Sequence, residues 1–389
     1  MTGNPTSRDH NKAAVLDVVL SRAPLTRTEV MEQTGLSKAT VSRAVEELRA
    51  DGFVVDGGLD DATGRGRRST YLDVPDTAGH VVGVSFGAQD TCVLAADLRG
   101  RDIGRVLRPT VEHHDAAAAA RWLVDMVGDV TKGAKGPLRE VVVAVPGRVR
   151  SGAEILGPAE AMKALVGPDL QRTLAARLGA RVEFDSDANA SLLGILTEGR
   201  AIGNAALFSL SSILNFASCA DHVLDRGRTP TFGDLGVLWS GVPGESLEGL
   251  MSTGGLLRFA RLRDPDVQRV EDLWLDAGSQ ASRPEVLDAL TTALVTAVSA
   301  VAVTLEPDRV YFVGRLQPLV EEVLPMVRRR LGERLPKAPE VSTPTQVLGL
   351  SVARGAVYAC LATVREELRE SVLSTRHRSA DPAGSAPAY

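Results

Sequence analysis

The first seventy residues alternate apolar runs with turn residues, a pattern typical of a small helical module. In residues 10–22 the side chains of Val15, Leu16, Val19 and Leu20 fall on one side of a predicted helix. A proline at position 24 closes that helix, because proline cannot continue it. The pattern therefore predicts a first helix that packs its apolar side inward.

Two more helices follow, joined by a tight turn. Thr26 and Glu29 have the spacing of a capping box, so a second helix is predicted to begin there. Gly35 suits the left-handed turn after it, and Ser37 suits the N-cap of a third helix. The polar face of this third helix carries the candidate DNA contacts Ser37, Lys38, Thr40, Ser42 and Arg43.

A basic hairpin is predicted after the third helix. Apolar strands at residues 53–55 and 70–74 flank a loop rich in glycine and arginine. Arg65, Arg67 and Arg68 lie in this loop, where they could grip phosphates or enter a minor groove. The order of helix, turn, helix and hairpin predicts a winged helix-turn-helix over residues 1–76, in which the third helix enters the major groove.

The rest of the chain alternates short strands and helices, as α/β domains do. Residues 81–87, 91–100 and 139–147 are predicted strands with an alanine-rich helix among them. The apolar stretch 289–305 is interleaved with threonine and serine, which suits a buried helix better than a bilayer span. Residues 370–389 are rich in proline, alanine and serine and are predicted to form a disordered tail.

Charge and cysteine usage narrow the function classes. The formal net charge is -5, so any contact with DNA must come from a locally basic patch. The three cysteines are far apart and form no C-x-x-C pair, which argues against a disulfide framework and against a cysteine-rich zinc site. With no signal-peptide pattern at the start, a cytoplasmic protein without a membrane partner is expected.

A plainer interpretation of the amino-terminal module stays open. A helix-turn-helix is also a common packing unit, and the arginine run could be a solvated loop. Glu46, Glu47, Asp60 and Asp61 support that alternative, because they cancel part of the local positive charge. DNA binding is favoured because the capping box, turn glycine, polar helix and basic hairpin occur in the required order.

Several fragments of the chain resemble the ROK family of repressors, open reading frames and sugar kinases. They are GLSKATVSRAVEELRADGFV, GRGRRS, GVSFGAQDTCVLAADLRGR, VAVPGRV, DSDANAS, FGDLG, STGGLL and LGLSVARGAVYACL. The likeness reaches to about Leu361 and includes the amino-terminal module, so it indicates the regulator branch. It implies an α/β fold, with a two-lobed actin-like, sugar-kinase-like (RNase H-like) domain over residues 77–369. It also implies a homodimer or higher homo-oligomer on an inverted-repeat operator in double-stranded DNA.

The resemblance does not extend to the phosphate-binding motifs of the kinases. The first of these motifs has an aspartate followed by Gly-Gly-Thr, and here Ser85 to Gln89 reads SFGAQ. The second is a glycine-rich turn, and here SLSSILNFAS has no glycine between Asn204 and Arg226. The adenine-side glycine pair is reduced to Gly314 and Arg315. No ATP cofactor, no catalytic residue and no enzyme activity are therefore expected.

The zinc motif of the family is also missing. Its histidine position is occupied by Val237, and the following GVPGESLEGL contains no cysteine. Zinc needs thiolate or imidazole ligands, which this segment does not supply. No metal site is predicted.

The sugar-binding residues of the family survive in part. Asp187, Asn189, Asp234 and Glu248 match or replace its contacts, with Asp187 in the place of the catalytic base. Simpler roles compete with these. Asp187 and Asn189 could cap a helix, and Glu248 could be an ordinary acid on a helix surface. These four residues thus predict a sugar-effector site, but their presence can also be explained without a ligand.

Three functions remain to be compared. The favoured one is a dimeric transcriptional regulator, most often a repressor, that senses a sugar or sugar derivative. The second is an active sugar kinase with a DNA-binding module, which the missing phosphate motifs disfavour because phosphoryl transfer depends on positioning the phosphates. The third is a regulator with no small-molecule ligand.

Overall fold

A computed structural model describes residues 6–59, 70–113, 115–150, 152–156, 162, 165, 167–198, 203–227, 229, 231–275, 282–344 and 349–374. The amino-terminal part contains three helices and a small sheet of strand order β1-β3-β2. Its elements are α1 (Ser7–Arg22), β1 (Leu25–Thr26), α2 (Arg27–Thr34), α3 (Lys38–Ala50), β2 (Val55–Leu59) and β3 (Thr70–Asp73).

The predicted boundaries of the helix-turn-helix are confirmed. Thr26 and Glu29 form the capping box at α2, and Gly35 takes the left-handed conformation at φ 68°. Ser37 caps α3 by accepting the N–H of Thr40 at 3.3 Å. The predicted arginine loop lies at residues 60–69, outside the described part of the chain, and stays a prediction.

Two five-stranded sheets with the same strand order form the rest of the molecule. The first has the order β10-β7-β4-β5-β6, and the second β13-β12-β11-β14-β15. The first lobe contains β4 (His80–Phe86), β5 (Asp90–Asp97), β6 (Asp102–Pro109), α4 (Ala116–Val130), β7 (Leu138–Val145), β8 (Arg148–Arg150), β9 (Glu154–Leu156), α5 (Asp169–Leu178), β10 (Arg181–Ser186) and α6 (Asp187–Glu198). The second contains β11 (Ala205–Leu210), β12 (Leu214–Ala220), β13 (Val223–Leu224), α7 (Leu247–Met251), α8 (Thr253–Arg261), α9 (Asp272–Leu275), α10 (Arg283–Leu305), β14 (Arg309–Val313), α11 (Gln317–Arg334) and β15 (Glu340–Ser342). The chain then returns to the first lobe in α12 (Leu350–Ser374).

The two lobes repeat one topology. In each sheet the first three strands pair antiparallel in sequence, and the fourth and fifth add in parallel beside the first. This repeat is the two-lobed actin-like architecture, and the predicted fold class is confirmed. β6 was not predicted, because its alternating pattern leaves most of its residues exposed or half-buried.

The long apolar helix α10 belongs to the core of the second lobe. By length and composition it could cross a membrane, yet 56% of its most apolar 18-residue window is buried inside the protein. Leu290, Leu294 and Val298 are fully buried among the residues of that core. Thr291 and Thr292 hydrogen-bond the preceding turn, donating to the carbonyl oxygens of Leu287 at 2.7 Å and Asp288 at 2.9 Å.

Helix α12 connects the first lobe to the winged helix. It packs backbone to backbone on its neighbours: a Cβ on Gly355 would lie 1.7 Å from the carbonyl oxygen of Ala190, and one on Gly83 would lie 2.1 Å from that of Ala353. Further along, Leu368 and Val372 share an apolar cluster with Leu16 of α1. Only glycine permits approaches this close, so the position of α12 is fixed by its sequence.

The predicted start of the tail is wrong. Residues 370–374 continue α12 instead of beginning a disordered segment, and Val372 is only 2% exposed. Burial of apolar surface against the winged helix offsets the conformational-entropy cost of ordering this last turn. Residues 375–389 lie outside the described part, and the domain boundary near Asp76 stays a prediction.

An arginine joins the winged helix to the first lobe by ion pairs. Arg99, in the turn after β5, donates to Asp97 at 2.8 Å, to Asp73 of β3 at 2.9 Å and to the carbonyl oxygen of Val74 at 2.9 Å. Its guanidinium also contacts Asp76. Five N–H donors on one planar group allow this many partners at once.

We expect Arg99→Ala to loosen the connection between the winged helix and the body. Loss of the guanidinium leaves Asp73 and Asp97, each at most 15% exposed, without their cation. Breaking such a pair costs about 3 kcal/mol of unfolding free energy. Denaturant titration measures this loss, and amide exchange of residues 70–79 should rise. Arg101→Ala, at an exposed neighbouring position, is the control, and equal effects in both variants would contradict the assignment.

Glu140 should make stability depend on pH. It lies on β7 with only 1% of its side chain exposed, and this burial raises its pKa to about 7. The folded state therefore binds a proton that the unfolded state releases near pH 4.5, so stability falls as pH rises from about 4.5 to about 7. Glu140→Gln should raise the melting temperature at pH 8 and leave it nearly unchanged at pH 4.5. Glu32→Gln, at an exposed position on α2, is the control. An unchanged pH profile in Glu140→Gln would refute this role.

Candidate functional site

Helix α3 presents two cations that no acid in the described part of the chain neutralises. Lys38 and Arg43 are exposed, and neither has a carboxylate within ion-pair distance among the described residues. Ser42 and Thr40 are half-buried beside them. The Thr40 hydroxyl also lies 2.9 Å from that of Ser37. These two residues therefore take part in the N-cap of α3 as well as in its polar surface.

The acids near α3 pair with other arginines. Glu47 binds Arg8 of α1 at 2.5 Å, and Glu46 lies 3.5 Å from both Arg27 and Arg49. Arg49 binds Asp56 at 2.8 Å as well. Glu46 and Glu47 therefore hold the helices of the module together and leave the charge of Arg43 available. This weakens the interpretation in which these acids cancel the basic face.

The four candidate ligand residues of the body do not meet in one cavity. Asp187, at the start of α6, is half-buried and accepts from Ser209 at 3.0 Å and from Asn215 at 2.5 Å. Burial raises its pKa to about 6, against the opposing effect of these hydrogen bonds. The side-chain amide of Asn189 donates to Asp185 at 2.7 Å and does not contact Asp187.

The alternative roles weighed for these residues are only partly correct. Ser186, not Asp187 or Asn189, accepts the N–H of Asn189 at 3.1 Å and so caps α6. Glu248 is not a surface acid: it is half-buried and accepts the N–H of Leu214 at 2.9 Å. Burial raises the pKa of Glu248, and the nearby charge of Asp234 adds to the rise. Asp234 itself forms an ion pair with Arg148.

A cavity of about 190 Å³ lies between the lobes. Of the four candidates, only Asp187 lines it. Its polar walls include hydroxyl side chains that the sequence reasoning did not select, among them Ser209 of β11, Ser211 and Ser212 of the β11–β12 turn and Ser351 of α12. The serine-rich stretch SLSS was the available signal, since it replaces the glycines of a phosphate-binding turn.

The cavity is bordered by both segments that stand in place of phosphate-binding motifs. Gly87 to Asp90 follow β4, and Ser211 and Ser212 follow β11. In the second segment the two serines line the cavity, and the next residue, Ile213, is not part of its wall. In the described part of the chain no group of three histidine, cysteine or acidic side chains is placed to hold a metal ion.

Comparisons with known proteins match both parts of the chain. Residues 9–65 match the MarR family. The xylose repressor of Caldicellulosiruptor bescii is 26% identical over 58% of this chain and 57% of its own length. The bifunctional enzyme NanE/NanK of Brucella melitensis is 29% identical over 64% of this chain and 48% of its own length. The chain thus spans less than two thirds of these curated relatives.

Solved structures match the fold over greater lengths. A ROK family transcriptional regulator described as a homologue of the E. coli MLC protein superposes with a TM-score of 0.74 and 15% identity, covering 95% of this chain and 99% of that one. The ROK hexokinase of Thermus thermophilus superposes with a TM-score of 0.61 and 19% identity, covering 74% and 99%. The hexokinase thus covers a smaller share of this chain than the regulator does. A MarR-type winged helix joined to a two-lobed sugar-kinase-like body is thus the fold that this chain shares with that ROK family transcriptional regulator.

Proposed function

We propose that the chain is a sequence-specific DNA-binding transcriptional regulator, acting as a repressor, whose body performs no phosphoryl transfer. It binds an inverted-repeat operator as a homodimer in the cytoplasm, through the module at residues 1–76. The body at 77–369 joins the two copies and responds to a sugar-like effector. The observation that carries this proposal is the pair of exposed, unneutralised cations Lys38 and Arg43 on the second helix of a helix-turn-helix.

The assignment of roles on α3 follows from the position of each side chain. Ser37 and Lys38 lie at the helix amino terminus, where free N–H groups and a positive charge favour phosphate. Arg43 lies further along the exposed side and reaches base edges, where a guanidinium pairs with guanine. Thr40 and Ser42 add shorter contacts, and Arg65, Arg67 and Arg68 of the predicted hairpin add backbone or minor-groove contacts.

The repressors among the relatives favour this function over a kinase. The proteins from C. bescii and Bacillus subtilis are named xylose repressors, so xylose is the first effector to test. The cavity supports an effector, and a body without any ligand is the competing regulator hypothesis. Two recognition helices related by a two-fold axis read an inverted repeat with half-sites about one DNA turn, or a small multiple of it, apart.

Selection from a random duplex pool with the purified full chain should enrich an inverted repeat. On that sequence, Arg43→Ala should weaken binding about 10- to 100-fold and relax preference at one base position in each half-site. Arg49→Ala is the matched control, because Arg49 lies on the same helix but is already paired with Glu46 and Asp56. Arg67→Ala should lower affinity evenly across sequences. Selection without any enriched motif would refute the proposal.

An active kinase remains the second candidate because Asp187 is retained and NanE/NanK is among the relatives. We expect no sugar-dependent release of ADP from Mg-ATP with xylose or glucose, since the phosphate motifs are missing. The T. thermophilus ROK hexokinase, assayed in parallel, is the positive control. Turnover at ordinary enzyme rates that disappears in Asp187→Asn would establish the kinase instead.

A further inference from the structure

The eight-residue strand β6 forms an open edge of the first sheet. Among the described residues it pairs with β5 on one side and with no strand on the other. The other sheet edges are shorter or more buried, since β13 has two residues, β15 has three, and four of the six residues of β10 are buried. We propose that the open side of β6 binds an extended, acidic segment of a partner protein, which adds to the sheet as a further strand.

The pairing of β6 with β5 fixes which of its main-chain groups are free. Pairs in an antiparallel ladder alternate between those that exchange hydrogen bonds and those that do not. The N–H of Thr110 donates to the carbonyl oxygen of Gln89 at 2.6 Å, so every second residue before Thr110 bonds β5 in the same way. The N–H and C=O groups of Arg105 and Leu107 therefore point to the open side. Pro109, which has no N–H, occupies the next outward position.

The charge of this edge favours an acidic partner. Arg101 and Arg105 are exposed, and in the described part of the chain neither has a carboxylate within ion-pair distance. Asp102, which lies between them in the sequence, is bound to Arg354 of α12 at 2.8 Å. Glu112, an exposed acid, follows the opposite end of the strand. Carboxylates on an added strand would pair with the two free arginines.

Apolar side chains distinguish this edge from a nucleic-acid surface. Leu107 is 57% exposed and Val111 is 55% exposed. A phosphate backbone accepts hydrogen bonds from N–H groups but does not bond the outward C=O groups of Arg105 and Leu107. An extended peptide bonds both kinds of main-chain group and also covers apolar surface. The edge therefore suits a protein strand better than DNA.

Helix α4 supports β6 from one face and keeps the edge in place. Gly104 lies so close to this helix that a Cβ would be 2.6 Å from the carbonyl oxygen of Val130. Arg108 binds Asp129 of the same helix at 2.6 Å. A strand that is already ordered loses little conformational freedom when another strand adds to it, which favours binding.

A second copy of β6 suits this edge less well than an acidic segment does. Self-pairing would bring Arg101 and Arg105 of both copies to one pair of strands. Like charges on neighbouring strands destabilise a sheet, whereas opposite charges stabilise it. The partner is therefore a protein other than this chain, and its binding does not depend on whether α3 binds DNA.

Fluorescence anisotropy of labelled peptides with the full chain tests the partner class. One probe alternates valine and glutamate over eight residues, the length of β6, and the matched probe alternates valine and lysine. We expect saturable binding of the glutamate peptide, at least about tenfold tighter than that of the lysine peptide. Equal affinities, or no binding of the glutamate peptide, would overturn the proposal and leave the cations only the role of hindering edge-to-edge aggregation.

A charge reversal locates the binding site. Arg105→Glu should weaken binding of the glutamate peptide at least about tenfold and strengthen binding of the lysine peptide. Arg177→Glu is the matched control, because Arg177 is exposed on α5 and has no carboxylate within ion-pair distance among the described residues. Equal losses in the two variants would show unspecific charge attraction and refute the assignment to β6.

A proline substitution tests the main-chain contacts. Leu107→Pro removes an outward N–H without removing a bond to β5, and its ring blocks an added strand, so affinity for the glutamate peptide should fall at least about tenfold. Leu107→Ala keeps the N–H and should stay within about threefold. Equal losses would contradict binding by strand addition. Thermal melting shows whether each variant folds, and Arg105→Glu tests the proposal without a change to the main chain.

Amide exchange resolved by residue identifies the occupant of the edge. The glutamate peptide should slow exchange of the Arg105 and Leu107 amides and leave that of Val106, which already bonds β5, unchanged. Protection of the same two amides by random-sequence duplex DNA but not by the peptide would refute the proposal in favour of a nucleic-acid surface. Protection that rises with protein concentration alone would refute it in favour of a second copy.

Discussion

The close packing of α12 is the constraint on which the rest of the structure depends. Gly83 and Gly355 allow its backbone to touch β4 and α6, where any larger side chain would overlap a carbonyl oxygen. Through this contact one helix joins the first sheet, the helix that begins at Asp187, and the winged helix at α1. The apolar cluster of α12 runs without a break from Val352 to Val372 and includes Leu16 and Val19. The winged helix therefore shares one apolar core with the first lobe and is not an appendage on a free linker.

Local signals in the sequence were sufficient for the helix-turn-helix and for most of the first lobe. Capping at Thr26 and Ser37 and the turn at Gly35 depend on neighbours within three residues, so they were readable in advance. The last turn of α12 was not, because its order comes from Val372 packing against a helix more than 300 positions earlier in the chain. Composition alone suggested a tail there, and tertiary burial outweighed it.

The candidate ligand residues depend even more on partners that are distant in the sequence. Resemblance selected Asp187, Asn189, Asp234 and Glu248 as candidates, but it could not predict which hydrogen-bond and ion-pair partners they have in the fold. Arg148 binds Asp234 from 86 residues away, and Leu214 offers its N–H to Glu248 from 34 residues away. No spacing pattern reports such pairings. The serines of the β11–β12 turn were visible in the sequence, yet only the fold shows that they face the same space as Ser351.

The length of α12 has a mechanical consequence. Its first turn supplies Ser351 and Val352 to the space between the lobes, and its last turns hold Asp17 through Arg369 at 3.4 Å. Twenty-five residues of helix measure about 37 Å, so a tilt of about 5° at one end displaces the other by roughly 3 Å. A displacement of that size is comparable with the spacing of stacked base pairs, about 3.4 Å. If the chain binds DNA as the proposed homodimer, a small change in the tilt of α12 would thus alter whether the two winged helices stay in phase with the duplex.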